Sequence, residues 1–270
     1  MQQKVIMVGC GWLGQQLGIA LATAGFEVYG TRQSSAAAAL LPAPIQPLVL
    51  QLPLDTLPVE QQAIWQDAWL VCAIPPAVRQ FGPAHYPMLL ENLAFLARES
   101  ACRGVFHCSS TGVYEGLTGD VTEDSALDMT TKAAYLVAGE TSLRSIQPCI
   151  TLRLAGLIGP SRHPGAFGRH GSMTGADEPV NLVHSADVAA FIIAILHSAA
   201  IRSDCVNLSS PVRLCKKDFY PLAAAKLGLP APIIQTSNSL GRCVRSLRVA
   251  QYPQFHYRYP SALDALSDCS

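Results

Sequence analysis

The sequence predicts an α/β protein built on a doubly wound parallel sheet, with a small C-terminal α/β lobe attached. Short apolar runs alternate with longer helical segments, which is typical of parallel βαβ units. Half of the 270 residues are hydrophobic and only 14% are charged, against roughly 25% in an ordinary soluble domain. This composition predicts a large buried core. A glycine-rich turn directly after the first apolar run is the third indication of this fold.

The N-terminal half alternates regularly between strands and helices. Strands are predicted over residues 5–8, 26–30, 48–50, 68–73 and 104–108, and helices over residues 14–24, 36–41 and 86–100. Gly25 suits the C-terminal cap of the first helix, and Pro42 stops the second. Five prolines between residues 42 and 58 predict a loop around the short third strand.

The second half becomes less regular after Gly159. Helices are predicted over residues 131–146, 187–197 and 217–227, and strands over residues 149–154 and 205–208. Residues 161–178 are rich in Gly, His and Arg and predict a long loop. We expect residues 1–160 to form the larger domain, whose sheet also receives segments from residues 180–210. Residues 161–270 then form a smaller substrate-side lobe.

The turn Gly9-Cys10-Gly11-Trp12-Leu13-Gly14 follows the first strand and opens the first helix. In this context a G-x-G-x-x-G pattern predicts a Rossmann fold that binds a nicotinamide dinucleotide. Gly9 permits the tight turn, Gly11 lets the backbone approach the pyrophosphate, and Gly14 lets helix and strand pack closely. Trp12 and Leu13 complete the expected phosphate-binding turn, where helix N–H groups attract anions. The alternative is a glycine-rich turn without a ligand.

The second strand ends at Gly30-Thr31-Arg32, where NAD-specific proteins usually carry an acidic residue. An arginine there can receive the 2′-phosphate of NADP, although it can also be an ordinary surface residue. The sequence therefore predicts NADP(H) as the preferred cofactor, with NAD(H) as the alternative. We expect Ile74 and Pro75, where the fourth strand ends, to lie beside the cofactor.

Charge and cysteine pattern exclude several classes of partner. The formal net charge is zero and no Lys/Arg cluster forms a basic stripe, so no nucleic-acid partner is expected. No apolar run reaches the roughly 20 residues of a membrane-spanning helix, and no secretory signal pattern is present. The nine cysteines are scattered without a C-x-x-C pair, which predicts no metal site and a reducing, cytoplasmic location. The expected partner is a small-molecule substrate.

Three further segments carry a resemblance to a known family. They are His107-Cys108-Ser109-Ser110-Thr111-Gly112-Val113-Tyr114, Thr151-Leu152-Arg153-Leu154-Ala155-Gly156-Leu157-Ile158-Gly159-Pro160 and Asn181-Leu182-Val183-His184-Ser185-Ala186-Asp187-Val188-Ala189. With the glycine turn, they resemble an atypical branch of the extended short-chain dehydrogenase/reductases, of the nucleoside-diphosphate-sugar epimerase/dehydratase type.

The resemblance implies an NAD(P)-binding oxidoreductase, epimerase or dehydratase that acts on a sugar nucleotide or a similar hydroxylated molecule. It also implies that Ser110 and Thr111 orient the substrate and that Asn181 and His184 face the substrate lobe. A helix-capping or packing role is the alternative for the residues around His184.

The chain departs from the family at the catalytic helix. Family members use a Tyr-x-x-x-Lys pair, in which the Lys lowers the pKa of the Tyr. Aligning Glu140 with the family's glutamate puts Lys132 at the Tyr position and Leu136 at the Lys position, and residues 100–160 contain no Tyr-x-x-x-Lys. Tyr114 and Tyr135 are the candidates for a displaced acid or base, with packing as the alternative. Val8 also replaces the first glycine of the family's usual motif.

The missing pair supports a second hypothesis, a catalytically silent NADP(H)-binding sensor or interaction module.

The long loop and one helix pair suggest two further features. Arg162 and Arg169 are candidates for a flexible lid that offers positive charge to an anionic substrate. The neighbouring His163 and His170 lack the additional ligands that a metal site needs. The resemblance implies that the helices over residues 86–100 and 131–146 form a homodimer interface. The second helix carries a stripe of small apolar residues that permits close helix approach: Ala133, Ala134, Val137 and Ala138. The alternative is that this stripe packs only within its own subunit.

Overall fold

A computed structural model describes residues 2–127, 130–168 and 172–269. The helices are α1 Trp12–Thr23, α2 Ser35–Ala38, α3 Val59–Trp65, α4 Val78–Phe81, α5 His85–Glu99, α6 Thr131–Leu143, α7 Ser185–Leu196 and α8 Lys216–Lys226. The strands are β1 Lys4–Val8, β2 Glu27–Arg32, β3 Gln46–Val49, β4 Trp69–Cys72, β5 Gly104–Ser110, β6 Gly119–Val121, β7 Cys149–Leu154, β8 Gly156–Ile158, β9 Met173–Thr174, β10 Leu182–His184, β11 Asp204–Leu208, β12 Ile234–Gln235 and β13 Arg242–Val244.

Seven strands form one parallel sheet in the order β11-β7-β5-β4-β1-β2-β3. The chain starts in β1 near the middle, builds outward to β3, and then returns through β4 to build the other half. Every residue of β4 and β7 is buried, as expected for strands covered on both faces. The predicted doubly wound α/β fold is confirmed.

Helices cover both faces of this sheet. On one face, α1 contributes Leu17 and Leu21, and α7 contributes Phe191 and Ile192, to a single apolar cluster. The other face carries α3, α5 and α6, with Trp65, Leu90, Leu93, Leu136 and Leu143 in a second cluster. The carboxyl ends of the central strands are therefore framed by helices from both sides, where ligands bind in open parallel sheets.

Three two-stranded parallel pairs lie outside the main sheet, β6 with β13, β8 with β10, and β9 with β12. A third apolar cluster joins Ile158 and Leu182 from these strands to Phe219 of α8 and to Tyr259 and Leu266 near the C-terminus. Residues 185–208 return to the main sheet as α7 and β11 before the chain enters this region again.

Short elements account for the differences from the predicted secondary structure. Residues 59–65 form α3, which is not predicted from the sequence because a seven-residue helix shows little periodicity. The helix predicted over residues 36–41 is only the four-residue α2. The predicted loop over residues 161–178 contains a 3₁₀ turn, Pro164–Ala166, and the two-residue strand β9. In the part of the chain that the structure describes, no helix is long and apolar enough to cross a membrane.

Candidate functional site

The glycine turn connects β1 to α1 and is packed tightly on two sides. Gly9 has φ +85°, and a Cβ there would lie 2.9 Å from the backbone nitrogen of Ile74. A Cβ on Gly14 would lie 2.8 Å from the carbonyl oxygen of Gly9. A larger residue at Gly9 would push the turn away from the segment after β4, and a larger residue at Gly14 would push the turn away from α1. The structure thus brings Ile74, followed by Pro75, directly against the glycine turn.

Gly11 differs from these two glycines because a Cβ there would meet no atom within 4 Å. It is the N-cap of α1, and no side chain caps this helix end or adds an acidic group to its first turn. The N–H groups at Trp12 and Leu13 begin the helix and carry the positive end of its dipole. The turn therefore combines open space with an uncapped helix end, as an anionic ligand requires.

The end of β2 lies alongside the same turn. The backbone N–H of Gly9 donates to the Thr31 hydroxyl at 3.0 Å, and the Cys10 N–H donates to the Thr31 carbonyl at 3.0 Å. Nη1 of Arg32 donates to the Cys10 carbonyl oxygen at 2.9 Å. Burial raises the pKa of the Cys10 thiol to about 11 despite the nearby Arg32 charge, so this cysteine stays protonated at neutral pH.

Trp12 links the glycine turn to the segment after β8. Its indole Nε1–H donates to the Pro160 carbonyl oxygen at 2.8 Å. The Arg162 guanidinium lies over the Trp12 ring, with 5.2 Å between Cζ of Arg162 and the ring centroid. Arg162 lies in a turn that is closed by a hydrogen bond from its backbone N–H to the Gly159 carbonyl oxygen at 2.8 Å. The sequence-predicted lid residue Arg162 therefore contacts the predicted cofactor-binding turn, whereas Arg169 and His170 lie outside the described residues.

A cleft of about 340 Å³ opens beside this contact, at the carboxyl ends of β5 and β7. Its described lining residues are Ser109, Ser110, Thr111, Gly112, Lys132, Leu154, Ala155, Gly156, Leu157, Arg162 and Arg242. The Ser110 hydroxyl oxygen accepts a hydrogen bond from the Gly112 N–H at 3.0 Å, which leaves its own hydrogen for a ligand. Of the four predicted catalytic residues, Ser110 and Thr111 line this cleft.

Tyr114 does not line the cleft. Its side chain is completely buried, its hydroxyl donates to Oδ1 of Asn207 at 2.8 Å, and it accepts from Nη1 of Arg153 at 2.9 Å. Burial also raises the pKa of Tyr114, which opposes loss of its proton. These contacts favour a structural role for this tyrosine, at the end of the 3₁₀ turn Thr111–Tyr114, over the predicted acid–base role.

Tyr135 also falls outside the cleft lining. Its ring packs edge-on against Tyr86 of α5, with the ring centroids 6.4 Å apart. Burial, and then the negative charge of Glu115, raises the pKa of Tyr135. The residue of α6 that reaches the cleft is Lys132, one helical turn earlier. Lys132 stands at the family's tyrosine position when Glu140 is aligned, although the sequence pattern predicts no role for it.

A buried ionic network supports the floor of the cleft. Arg153 donates from Nε and Nη2 to the two carboxylate oxygens of Glu140 at 3.0 and 2.9 Å. The Ser109 hydroxyl donates to the same carboxylate at 2.8 Å. Burial alone would raise the pKa of Glu140, but the hydrogen bonds and charge of Arg153 hold it below its usual value. The network joins α6 to β5 and β7 next to Ser110.

The two predicted substrate-side residues are both engaged within the protein. The Asn181 amide donates to the Arg242 carbonyl at 2.7 Å and accepts from the Val244 N–H at 2.8 Å. Nδ1 of His184 accepts from the Ala186 N–H at 3.1 Å and so caps α7, while the ring packs on Tyr259. Asn181 therefore positions Arg242, which lines the cleft. Arg242 is not predicted from the sequence, because the three-residue β13 carries no recognisable pattern.

His163 likewise has a local role. Its Nδ1 accepts from the Gly165 N–H at 3.0 Å, and burial lowers its pKa. Within residues 2–127, 130–168 and 172–269, no group of three His, Cys, Asp or Glu side chains is placed to hold a metal ion.

Comparisons with known proteins place the chain among relatives of the same length. No protein-family model matches it. It is 31% identical to the Escherichia coli protein YeeZ over 272 residues, which covers 97% of this chain and 98% of the relative.

The structure also superposes on solved structures at lower identity. A conserved protein of unknown function from Silicibacter pomeroyi is 20% identical, with a TM-score of 0.73, over 98% of this chain and 97% of the other. A putative NAD-dependent epimerase/dehydratase from Methylobacillus flagellatus is 21% identical, with a TM-score of 0.73, over 100% and 98%. The UDP-glucuronic acid 4-epimerase from Bacillus cereus, in complex with NAD, is 16% identical, with a TM-score of 0.75, over 98% and 97%.

Proposed function

Because the chain belongs to the family of the Escherichia coli protein YeeZ and has the fold of NAD-dependent epimerases and dehydratases, we propose that it binds a nicotinamide dinucleotide at residues 9–14. The adjoining cleft then takes a sugar nucleotide or a similar hydroxylated small molecule. The observation that carries this proposal is the open space at Gly11, on an uncapped helix end, next to a cleft that Ser110 and Thr111 line.

The residues of the turn fit the pyrophosphate of a dinucleotide. Gly9 and Gly14 close the turn against its neighbours, and Gly11 leaves room for a phosphate to approach the backbone. The first N–H groups of α1, at Trp12 and Leu13, then bind the phosphate oxygens. Ile74 and Pro75 follow β4 at the same edge of the sheet and border the dinucleotide.

Arg32 supports a preference for NADP(H). It stands at the end of β2, where the adenine ribose of a dinucleotide lies in this fold, and no acidic residue occupies that strand end. Its guanidinium carries further N–H groups besides the one bonded to Cys10, and these groups suit a 2′-phosphate. NAD(H) is the alternative, since the Bacillus cereus neighbour binds NAD.

When bound, the nicotinamide ring supplies or accepts a hydride. The chain's contribution is to orient the substrate, and Ser110 is placed to donate its hydroxyl hydrogen to a substrate oxygen. No tyrosine is among the described residues that line the cleft, and this observation favours a second candidate function. In that alternative the protein is a catalytically silent NADP(H)-binding sensor or interaction module.

Calorimetric titration with NADPH, NADP⁺, NADH and NAD⁺ tests the binding proposal. We expect the phosphorylated pair to bind more tightly, and Arg32→Ala to weaken it about tenfold or more while the other pair is little affected. Gly11→Val should fold normally, because its side chain enters open space, yet lose all four ligands. Arg202→Ala, at an exposed arginine elsewhere, serves as the matched control.

The outcomes separate the candidates. Absence of binding by all four dinucleotides would overturn the central proposal and make the glycine turn purely structural. Binding without oxidation or reduction of the cofactor across a broad panel of hydroxylated substrates would favour the silent module. If turnover is found, Tyr135→Phe and Tyr114→Phe should retain it, because neither side chain lines the cleft.

A further inference from the structure

Three cationic side chains from separate parts of the chain line the cleft at the ends of β5 and β7. Lys132 comes from the first turn of α6, Arg162 from the turn after β8, and Arg242 from β13. None of the described lining residues is acidic. Glu115 pairs with Lys132 from outside this lining, with 3.6 Å between Nζ and Oε1. The lining therefore carries three positive charges, of which Glu115 offsets one from outside.

Arg242 is held in the cleft at its backbone and at one guanidinium nitrogen. Asn181 fixes its backbone, and Nη1 donates to the Tyr114 carbonyl at 2.7 Å. Nε is buried and has no hydrogen-bond partner among the residues that the structure describes. Burial lowers the pKa of Arg242, because the guanidinium loses hydration there, and the negative charge of Glu115 opposes this shift. The guanidinium of Arg242 therefore has N–H groups that are not bonded within the described residues and can bind a ligand.

Lys132 and Ser110 border the same small space. A Cβ on Gly112 would lie 2.9 Å from Cε of Lys132 and 3.3 Å from the Ser110 hydroxyl oxygen. The end of the lysine stem and the Ser110 hydroxyl oxygen therefore both lie beside the Cα of Gly112. On the other side of the cleft, Arg162 is held by its stacking on Trp12.

Glu115 offsets part of this charge from outside the lining, but three cations that face one cleft still repel one another unless an anion lies between them. A neutral sugar hydroxyl would leave the repulsion in place, whereas a carboxylate or phosphate accepts charged hydrogen bonds from all three. We propose that the cleft binds an oxyanion carried by the substrate, a carboxylate or phosphate group, through Lys132, Arg162 and Arg242. Ser110 then holds the neighbouring oxygen of the substrate.

This inference rests on the proposed function only in treating the cleft as the substrate site beside a bound dinucleotide. The test uses inorganic phosphate and malonate as probes, titrated calorimetrically into protein saturated with its preferred dinucleotide. Saturation keeps the probes away from the glycine turn. We expect at least one probe to bind, and the tighter of the two identifies phosphate or carboxylate as the recognised group.

Substitutions locate the bound anion. Lys132→Gln and Arg242→Gln should each weaken binding about tenfold, the effect of losing one charged hydrogen bond. Lys226→Gln and Arg202→Gln remove the same charges at exposed positions elsewhere and should bind like the wild type. Arg242→Lys keeps the charge and should recover part of the affinity, which separates recognition from any disturbance of β13.

Three results would overturn the inference: neither probe binds the wild type, the cleft variants keep wild-type affinity, or the control variants lose as much as the cleft variants. Dinucleotide affinity, measured on the same samples, should be unchanged in Lys132→Gln. If the wild type binds no dinucleotide, the proposed function fails but this inference is still tested. The probes are then titrated into Gly11→Val, in which the glycine turn is blocked.

Discussion

His107 shows how one residue on β5 couples the stability of the fold to pH. Its side chain is completely buried, and Nε2 is hydrogen bonded to the Tyr86 hydroxyl at 2.9 Å. Nδ1 is buried without a partner among the described residues. Burial lowers the pKa of His107 from 6.5 to about 4, so the folded protein keeps the ring neutral.

The sign of the effect follows from the two pKa values. Between pH 6.5 and pH 4 the unfolded chain binds a proton that the folded protein excludes, so acidification favours unfolding. From pH 7.5 to pH 5, His107 should remove about 2 kcal/mol from the free energy of unfolding. Urea unfolding at both pH values measures this contribution.

His107→Asn separates the histidine's contribution from that of other groups. The variant should be less stable at every pH but should lose less stability on acidification than the wild type. His256→Asn, at an exposed histidine, should keep the wild-type dependence. An unchanged pH dependence in His107→Asn would show that the ring is not kept neutral in the folded protein.

Residue-scale chemistry also explains which site residues the sequence could predict. Gly9, Gly11 and Gly14 stand in a fixed spacing after a strand, so their backbone roles follow from local geometry. Tyr114 is a candidate from the sequence because it lies on the turn that follows the serine-rich end of β5. Its bonds to Asn207 and Arg153 depend on which strands lie beside β5, and local sequence does not contain that information.

At the scale of elements, a buried carboxylate joins α6 to the sheet in addition to the apolar packing of Leu136 and Leu143. Glu140 of α6 is fully buried and binds Arg153 of β7 and Ser109 of β5. Exposed Arg144 adds a third contact at 3.2 Å. Removing one partner of a buried pair leaves the other charge without compensation, which is more costly than losing a surface pair.

Glu140→Gln should therefore destabilise the protein by about 3–5 kcal/mol, measured by urea unfolding at neutral pH. Asp120→Asn, which breaks the exposed pair between Arg213 and Asp120, is the matched control and should cost much less. A loss as small as that of the control would mean that Arg153 finds another partner when Glu140 is neutral.

The sequence predicted the long elements better than the short ones. All the longer helices of the main fold and the central strands were identified, because each is long enough to show a period or an unbroken apolar run. The two- and three-residue strands β6, β8, β9, β10, β12 and β13 were not predicted. Each exists because a distant partner pairs with it, and β13 brought Arg242 to the cleft in this way.

At the scale of the whole molecule, the outer surface of α5 and α6 is where the predicted homodimer would form. Met88 and Phe95 lie two helical turns apart on α5 and are exposed by 43% and 42%. On α6, Ala133 is buried in its own subunit, whereas Val137 is half-buried and Ala138 is exposed. Only part of the small-residue stripe is therefore used internally, and the predicted homodimer stays a prediction.

Sedimentation velocity at micromolar concentration tests the dimer. We expect a dimer for the wild type and a monomer for Phe95→Glu, because a buried carboxylate at the interface has no partner. Leu222→Glu, at an exposed leucine of α8, should remain dimeric. A monomeric wild type would contradict the prediction.

The contact between Trp12 and Arg162 gives the protein an optical signal of its own. The chain has three tryptophans, and Trp65 and Trp69 are buried in the core of the sheet. Trp12 alone stands at the glycine turn, with a guanidinium over its ring and its indole nitrogen bonded to Pro160. Any molecule that enters there changes the surroundings of one fluorophore while two stay constant. The emission spectrum of the unlabelled protein therefore reports ligand entry directly.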